Sequence, residues 1–311
     1  MKVALLTGIS GFLGHHLATT LRERGVKVVG IARNAGLTGS IEGAVCGDIT
    51  DKVFINALVD QVRPDAVFHL AANKSRTGGI EHFRQSIEDN LIGTLNLAEA
   101  CIDKPYVQRF VAMGACEEYG HSAVPFLEDM RESPVSAYSF SKTAATHLLQ
   151  TLHRAHNLPV MILRPSLAYG PGQAADMFLP ALIQALLRGR PFAMSGGQQT
   201  RDYIYIDDLI NAVVLAATFP GDLGKVINIS SGAPVLLKEL ALLVAQKIGP
   251  NARKAIEFGK KSYRPSEIME YVASYREAES ILGWKPQTSL DDGLSVTIEH
   301  YRRCLIEARS N

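Results

Sequence analysis

The sequence predicts an α/β fold, a doubly wound parallel sheet with a smaller part interleaved towards its C-terminus. Short runs rich in valine and isoleucine alternate with longer helical patterns through the first half of the chain. A glycine-rich segment joins the first of these runs to the first helical pattern. Parallel strands need crossover helices, so this alternation indicates a sheet with helices packed on both faces.

The predicted elements follow one another along the chain. The strands cover 3–8, 27–33, 65–72, 109–114 and 159–166, and the helices cover 15–25, 53–63, 80–103 and 139–156. The helix at 80–103 has one apolar face, because its large apolar residues recur every three to four positions. These residues are Phe83, Ile87, Leu91, Leu95 and Ala98.

The alternation ends after Pro165, where glycine and proline cluster at 168–173 and glycine at 194–199. This break predicts a discontinuous division into two domains. The sheet domain would comprise 1–165 plus about 200–232, and the second domain 166–199 plus 233–311.

The composition is that of an ordinary globular protein, with 47% hydrophobic and 20% charged residues among 311. A formal net charge of +1 excludes the strong field that would attract nucleic acid or an acidic membrane. The opening "MKVALLTGIS" is unlike a signal peptide, and no apolar run reaches membrane-spanning length. The four cysteines lack metal-like spacing, so we predict reduced thiols in a cytoplasmic protein and no metal site.

Three glycines, Gly8, Gly11 and Gly14, lie in "TGISGFLG" between the first strand and the first helix. Glycine there lets the backbone turn tightly and approach a pyrophosphate, to which the helix N-terminus then offers its N–H groups. The segment therefore predicts a dinucleotide site that includes Phe12 and Leu13, rather than a purely structural turn.

The end of the second strand indicates which dinucleotide binds. An acidic residue about 20 positions after the glycines would bind the ribose 2′-hydroxyl of NAD. Arg33 stands in this region, and its guanidinium can hold a 2′-phosphate, so we predict NADP with NAD as the alternative. A solvated surface arginine is the structural alternative. Asp48, in "GDIT", is a candidate acceptor for the adenine amino group, or else a helix N-cap.

Tyr138 and Lys142, in "YSFSK", are four residues apart at a helix start and therefore share one helix face. An ammonium beside a phenol favours the phenolate and lowers the tyrosine pKa. Such a tyrosine can exchange a proton with a sugar hydroxyl while a nicotinamide moves the hydride.

These motifs resemble the extended short-chain dehydrogenase/reductase family, which acts on nucleotide sugars. The motifs are "TGISGFLG", "GDIT", "HLAA", "YSFSK", "YGPGQ", "RDYIYIDD" and "RPSEI", and they extend over essentially the whole chain. Within the family, "VVGIAR", "VRPDAVFHLAA" and "CEEYG" look most similar to GDP-4-keto-6-deoxymannose reductases and the related GDP-mannose dehydratases.

The resemblance implies a Rossmann fold with a C-terminal substrate-binding domain. It makes Tyr138 the general acid/base. It implies that Lys142 holds the nicotinamide ribose and lowers the pKa of the tyrosine. It also implies a homodimer, in which the helices at 80–103 and 139–156 form a four-helix bundle with a second copy. The remaining cofactor contacts that it implies are Ile49, Leu70, Ala71 and Ala72.

The chain departs from the family around "MGACEEYG". Ala115 stands where the family has a serine or threonine, four residues before Tyr119. Cys116 stands where dehydratases have an acid, whereas Glu117 matches their glutamate. We count Cys116 and Glu117 as candidate catalytic residues. Cys116 or Thr77 could replace the missing hydroxyl, and a small apolar filler is the structural alternative for Cys116.

The substrate's diphosphate would be held by Arg201 and Arg264, which match two family motifs. A structural ion pair of Arg201 with Asp202 or Asp207 is the alternative. Lys74 and Ser75 follow the strand at 65–72, so we predict that they contact the sugar or the cofactor; a solvated loop is the alternative.

Three functions remain open from the sequence. The main interpretation is an NADP-linked reductase of a nucleotide-bound 4-keto-6-deoxyhexose, with Tyr138 as the general acid. The first alternative is a nucleotide-sugar 4-epimerase or dehydratase that recycles its cofactor. The second alternative is a non-catalytic nucleotide-binding protein.

Overall fold

The computed structural model describes residues 1–34, 36, 40–74, 79–264 and 266–310. Seven parallel strands form its central sheet in the order β11-β6-β5-β4-β1-β2-β3. They are β1 (Val3–Thr7), β2 (Lys27–Ala32), β3 (Ala44–Cys46), β4 (Ala66–His69), β5 (Arg109–Met113), β6 (Val160–Pro165) and β11 (Val226–Ile229).

Helices connect the strands and cover the sheet. They are α1 (Phe12–Glu23), α2 (Lys52–Val62), α3 (Ile80–Ser86), α4 (Gly93–Cys101), α5 (Ala137–His156), α6 (Phe178–Leu187), α7 (Ile206–Thr218), α8 (Leu237–Ile248), α9 (Arg276–Leu282) and α10 (Leu290–Ser310). The predicted doubly wound α/β fold is therefore confirmed. Within the described ranges, no helix combines the length and apolarity needed to span a bilayer.

The strands consist mainly of apolar residues because both faces of the sheet are covered. In β1, Ala4 and Leu6 pack into the core on one face, whereas Leu5 between them packs into the core on the other. All three are fully buried. Because the strands pair in parallel, their carboxyl ends meet at one edge of the sheet, where the site lies.

The long helix predicted at 80–103 is present from Ile80 to Cys101, but it is not α-helical throughout. Residues Ile87–Ile92 form a π-helical turn between α3 and α4. The Thr94 hydroxyl donates to the carbonyl of Asn90, and the Asn90 side chain donates to Ser141 Oγ on α5 at 2.8 Å. These side-chain bonds compete with regular helical pairing and accompany the wider turn.

Among the described residues, three small two-stranded sheets lie outside the central sheet. They pair β7 (Leu167–Tyr169) with β10 (Tyr203–Tyr205), β9 (Thr200–Arg201) with β12 (Val235–Leu236), and β8 (Phe192–Ala193) with β13 (Ile256–Glu257). Strand β11 returns to the central sheet beside β6. The division into a sheet domain and a substrate-binding domain stays a prediction.

Candidate active site

A cleft of about 370 Å³ opens at the carboxyl ends of the central strands. Most of the site residues predicted from the sequence line it. These are Gly8, Gly11, Phe12, Leu13, Gly14, Arg33, Asp48, Ile49, Leu70, Ala71, Ala72, Lys74, Glu117, Tyr138 and Lys142. Ser75 lies outside the described residues. The fold thus brings the glycine turn and the tyrosine–lysine pair into one cleft.

The turn from β1 into α1 has the shape that a pyrophosphate needs. Gly8 has a φ of +74°, and a Cβ on Gly14 would lie 2.1 Å from the Gly8 carbonyl oxygen. The helix can approach the turn this closely only without a side chain. Gly11 caps α1 without a side-chain hydrogen bond, and the first turn of α1 contains no acidic residue. Its N–H groups therefore fit an anionic dinucleotide.

Arg33 directly follows β2, and its side chain is 65% exposed. Its Nη1 lies 3.8 Å from Oδ2 of Asp89 in the π-helical turn. The Asp89 carboxylate also accepts hydrogen bonds from Asn73 Nδ2 at 2.8 Å and from Gln85 Nε2 at 3.0 Å. A fixed carboxylate therefore stands beside the guanidinium that was predicted to hold a 2′-phosphate.

Asp48 also lines this cleft. Its Oδ1 accepts from the backbone N–H and the hydroxyl of Thr50, both at 2.9 Å. The N-cap of α2 is Asp51, whose side chain accepts from Phe54 N. Asp48 is therefore not the helix cap, and its role as an adenine acceptor stays a prediction.

Tyr138 and Lys142 lie in the first two turns of α5, which begins at a capping box formed by Ser136 and Ser139. Both side chains line the cleft although they are 8% and 5% exposed. The Lys142 Nζ donates to the carbonyl oxygen of Met113 at 2.6 Å. Burial lowers the pKa of Lys142 to about 8, the Glu118 carboxylate opposes this shift, and the Lys74 ammonium adds to it.

The segment after β5 supplies one polar group to the cleft. Ala115 lines it without a hydroxyl, whereas Glu117 lines both this cleft and a second cavity beyond it. Thr77, one predicted substitute for the hydroxyl, lies outside the described residues. The centre therefore combines a phenol, an ammonium and one carboxylate.

Cys116 does not lie in either cavity wall. It is fully buried against Tyr119, Phe126 and Tyr271, and its thiol donates to the carbonyl of Arg164 at 3.1 Å. Burial raises the pKa of the thiol well above its ordinary value. Since Cys116 occupies the core side of the turn, the structure gives no support to a catalytic role, and it agrees with the apolar-filler interpretation.

The second cavity, of about 430 Å³, contains both predicted phosphate arginines. Arg201 donates to the carbonyl of Ile268 at 2.7 Å and forms an ion pair with Glu267. The carboxylate partner of Arg201 is thus Glu267. The sequence suggested Asp202 or Asp207 instead. Arg264 is exposed at the cavity wall.

The two cavities share part of their lining, so the cleft at the glycine turn and the cavity of the arginines lie next to each other. The residues common to both are Glu117, Leu167, Ala168, Gln173, Met177 and Tyr271. Within the described part of the chain, no group of three or more His, Cys, Asp or Glu could hold a metal ion.

Residues 4–230 match the NAD dependent epimerase/dehydratase family. The chain belongs to this family. The resemblance to extended short-chain dehydrogenases/reductases is thereby confirmed, as is the expectation of an enzyme fold built around a nicotinamide dinucleotide.

Individual members of the epimerase/dehydratase family are similar over nearly the full length. A dTDP-glucose 4,6-dehydratase of Xanthomonas campestris pv. campestris (strain B100) is 29% identical, over 97% of this chain and 93% of its own length. The crystal structure of a UDP-glucose 4-epimerase from Thermotoga maritima with UDP-glucose is 27% identical. It covers 98% of this chain and 100% of that one, with a TM-score of 0.90.

A third relative was solved with both a nucleotide sugar and a dinucleotide. It is a UDP-glucuronic acid 4-epimerase from Bacillus cereus, in complex with UDP-glucuronic acid and NAD. It is 30% identical, covers 97% of this chain and 100% of that one, and has a TM-score of 0.88. These relatives favour the epimerase or dehydratase alternative over the reductase interpretation.

Sequence reasoning missed two acidic residues of this site. Asp89 lines the cleft beside Arg33, and Glu118 lies buried beneath the Ala115–Glu117 segment. No local motif points to either one, because each acquires its partners only through the tertiary fold. For Glu118, the signal available was a charged residue directly before Tyr119, in a segment that must pack on the sheet.

Proposed function

We propose that the chain is a nucleotide-sugar 4-epimerase that recycles its bound cofactor. The observation that supports this most is the shared cleft of Tyr138, Lys142 and the glycine turn. This cleft adjoins the cavity lined by Arg201 and Arg264. We assign the dinucleotide to the cleft and the sugar diphosphate to the adjoining cavity.

When bound, the dinucleotide supplies a hydride acceptor and donor at the sugar carbon. Tyr138 takes the proton of the sugar hydroxyl as the hydride leaves, and it returns the proton when the hydride comes back. Lys142 lies one helical turn after Tyr138, and its Nζ donates to the Met113 carbonyl. Its ammonium favours the deprotonated phenol. The hydroxyl missing at Ala115 removes about 1 kcal/mol of hydrogen bonding but no proton-transfer group.

The substrate diphosphate is assigned to Arg201 and Arg264 on the same grounds. Planar guanidinium groups bind phosphate oxygens in pairs, and both residues line the second cavity. Arg201 would have to exchange Glu267 for the diphosphate or hold both. We assign Lys74, which lines the cleft, to the sugar or the cofactor.

For the cofactor we propose NADP, because Arg33 stands at the end of β2 and can hold a 2′-phosphate. NAD is the alternative. Asp89 supports it, since its carboxylate lies 3.8 Å from that guanidinium and would repel a phosphate. The family and its NAD complex support a nicotinamide dinucleotide in either case.

A 4,6-dehydratase is the second candidate. Glu117 supports it, because a carboxylate at the wall of both cavities can remove a proton from carbon next to a transient ketone. Loss of water also requires an acid, and Cys116, at the position where dehydratases carry it, is buried outside the cleft. This difference favours the epimerase.

One experiment separates the three reactions. The purified protein is incubated with UDP-glucose, UDP-glucuronate, dTDP-glucose and GDP-mannose, and separately with a 4-keto-6-deoxy sugar nucleotide and NADPH. The products are followed by proton NMR together with NADPH absorbance. We expect the parent protein to form a C4 epimer with no net change in NADPH. We expect the Tyr138→Phe variant to form no epimer. A 4-keto-6-deoxy product would identify the dehydratase. Stoichiometric NADPH consumption with a 4-keto-6-deoxy sugar nucleotide would identify the reductase.

We also propose a homodimer built on α3, α4 and α5. Phe83 and Phe140 bring their ring centroids to 6.0 Å on adjacent helices. Ile80 is 80% exposed and Phe140 39% exposed. This apolar face suits a second copy of the same helices. A cytoplasmic location stays a prediction.

A further inference from the structure

The Glu118 carboxylate is a buried acid directly beneath the catalytic segment. Its Oε1 accepts from the backbone N–H of Ala115 at 2.8 Å, and a Cβ on Gly114 would lie 2.6 Å from the same oxygen. Its Oε2 accepts from Arg164 Nε at 2.9 Å and lies 2.7 Å from Arg164 Nη2. Both side chains are completely buried. The backbone that carries Ala115 and Glu117 is therefore tied to a fixed charge.

The same carboxylate reaches the helix that carries the tyrosine–lysine pair. Its Oε2 also accepts from the Thr146 hydroxyl on α5 at 3.0 Å. Thr146 is four residues after Lys142, so the two share one face of the helix. Glu118 thus connects the segment after β5 to the turn of α5 next to Lys142.

The charged and titratable groups around Lys142 come from several elements. The Lys74 ammonium follows β4, and the buried imidazole of His69 lies on β4 itself. Burial lowers the pKa of His69 to about 3, so this ring is neutral. Tyr138 lies one turn earlier on α5, and Glu117 lines the same cleft. Glu118 contributes a negative charge from below.

Glu132 offers a comparison on the same arginine. It accepts from Arg164 Nη2 at 2.6 Å, and it also lies 3.3 Å from His147 Nε2. Its side chain is 15% exposed, and no bond to Ala115 or Thr146 is found for it within the described residues. The two acids therefore share Arg164 but differ in their contact with the catalytic segment.

We propose that Glu118 is a positioning residue of the catalytic centre, whose carboxylate fixes the Ala115–Glu117 segment and places a negative charge behind Lys142. The inference rests on the proposed function, since that function makes Lys142 the partner of the proton-transferring tyrosine. A purely structural ion pair with Arg164 would need neither the bond to Ala115 nor the bond to Thr146.

The test measures the titration of Lys142 without any sugar. The protein is labelled with ¹³Cε-lysine, and the Lys142 resonance is assigned by its absence in Lys142→Arg. We expect a midpoint at about 8 in the parent protein. In Glu118→Gln we expect it lower by about one pH unit, because a nearby opposite charge has been removed. Glu132→Gln is the matched control and should leave the midpoint in place.

An unchanged midpoint in folded Glu118→Gln, or an equal shift in Glu132→Gln, overturns the proposal. If Glu118→Gln does not fold, the test uses Glu118→Asp instead. This variant keeps the negative charge but moves it away from the Ala115 N–H by the length of one methylene group. We then expect an unchanged midpoint and a reduced kcat with little change in KM, and an unchanged kcat would overturn the proposal. Because the titration needs no turnover, absence of epimerase activity in the parent protein is a separate result.

Discussion

The guanidinium of Arg33 lies 3.8 Å from the carboxylate of Asp89, where the cleft reaches the end of β2. Asn73 and Gln85 also donate to this carboxylate, so Asp89 is held in place while Arg33 remains 65% exposed. A dinucleotide ribose bound at this end would therefore lie close to a positive guanidinium and a negative carboxylate.

This pair predicts how the two dinucleotides compete. In Asp89→Asn, NADP should bind about fivefold more tightly, since the repulsion of its 2′-phosphate is removed. In Arg33→Gln, NADP should bind roughly tenfold more weakly, because a charge-assisted bond is lost. Calorimetric titration with NAD and with NADP measures both effects. If either variant changed the affinity for NAD and for NADP equally, the Arg33–Asp89 pair would not distinguish a 2′-phosphate from a 2′-hydroxyl.

The missing hydroxyl at position 115 can be restored. Ala115 lines the cleft together with Tyr138, so Ala115→Ser places a hydroxyl where the family has one. We expect kcat to rise about fivefold, the effect of one added hydrogen bond to the reacting oxygen. Steady-state kinetics with the nucleotide sugar that the parent enzyme converts would measure this. A lower kcat with unchanged folding would indicate that the site has adapted to alanine.

The titration of Lys142 predicts the alkaline limit of activity. Burial lowers its pKa to about 8, so the ammonium is present below that pH and is lost as the pH rises through it. We expect kcat to fall above about 8. Lys142→Arg should move this limit upwards, since a guanidinium does not titrate in that range. A pH profile of kcat that stays level well above 8 in the parent enzyme contradicts the assignment.

Local spacing was enough to predict the parts of the site that lie on one element. The glycines of the first turn and the Tyr138–Lys142 pair occupy the cleft because a turn or a helix face alone brings them together. The ion pair of Glu118 with Arg164 joins positions 46 apart along the chain, and the Asn90–Ser141 bond joins positions 51 apart. Neither is visible to a periodicity argument.

The position of Cys116 outside the cleft has a different physical origin. Residues Cys116–Tyr119 form a single 3₁₀ turn, in which successive side chains point in directions about a third of a turn apart. Glu117 consequently faces the cavities while its neighbour Cys116 enters the core. A motif that fixes three adjacent positions does not state which of them faces the ligand.

The different positions of these two neighbours predict different effects of substitution. Cys116→Ala should leave kcat within about twofold and lower the free energy of unfolding by about 1–2 kcal/mol, because it removes a buried group. Glu117→Gln should leave the unfolding free energy nearly unchanged and alter kcat. Chemical denaturation and steady-state kinetics on both variants check this. A large loss of kcat in a stably folded Cys116→Ala variant would support a catalytic role for the thiol.

The apolar face of α3 and α5 predicts the assembly state. Phe140 lies 39% exposed beside Phe83, so a charge there should be buried without a partner if a second copy covers the face. We expect light scattering to give a dimer for the parent protein and a monomer for Phe140→Glu. Val53→Glu is the matched control, since Val53 is 79% exposed on α2, outside this helix pair. A monomeric parent protein would contradict the four-helix bundle, and a dimer that survives Phe140→Glu would place the interface elsewhere.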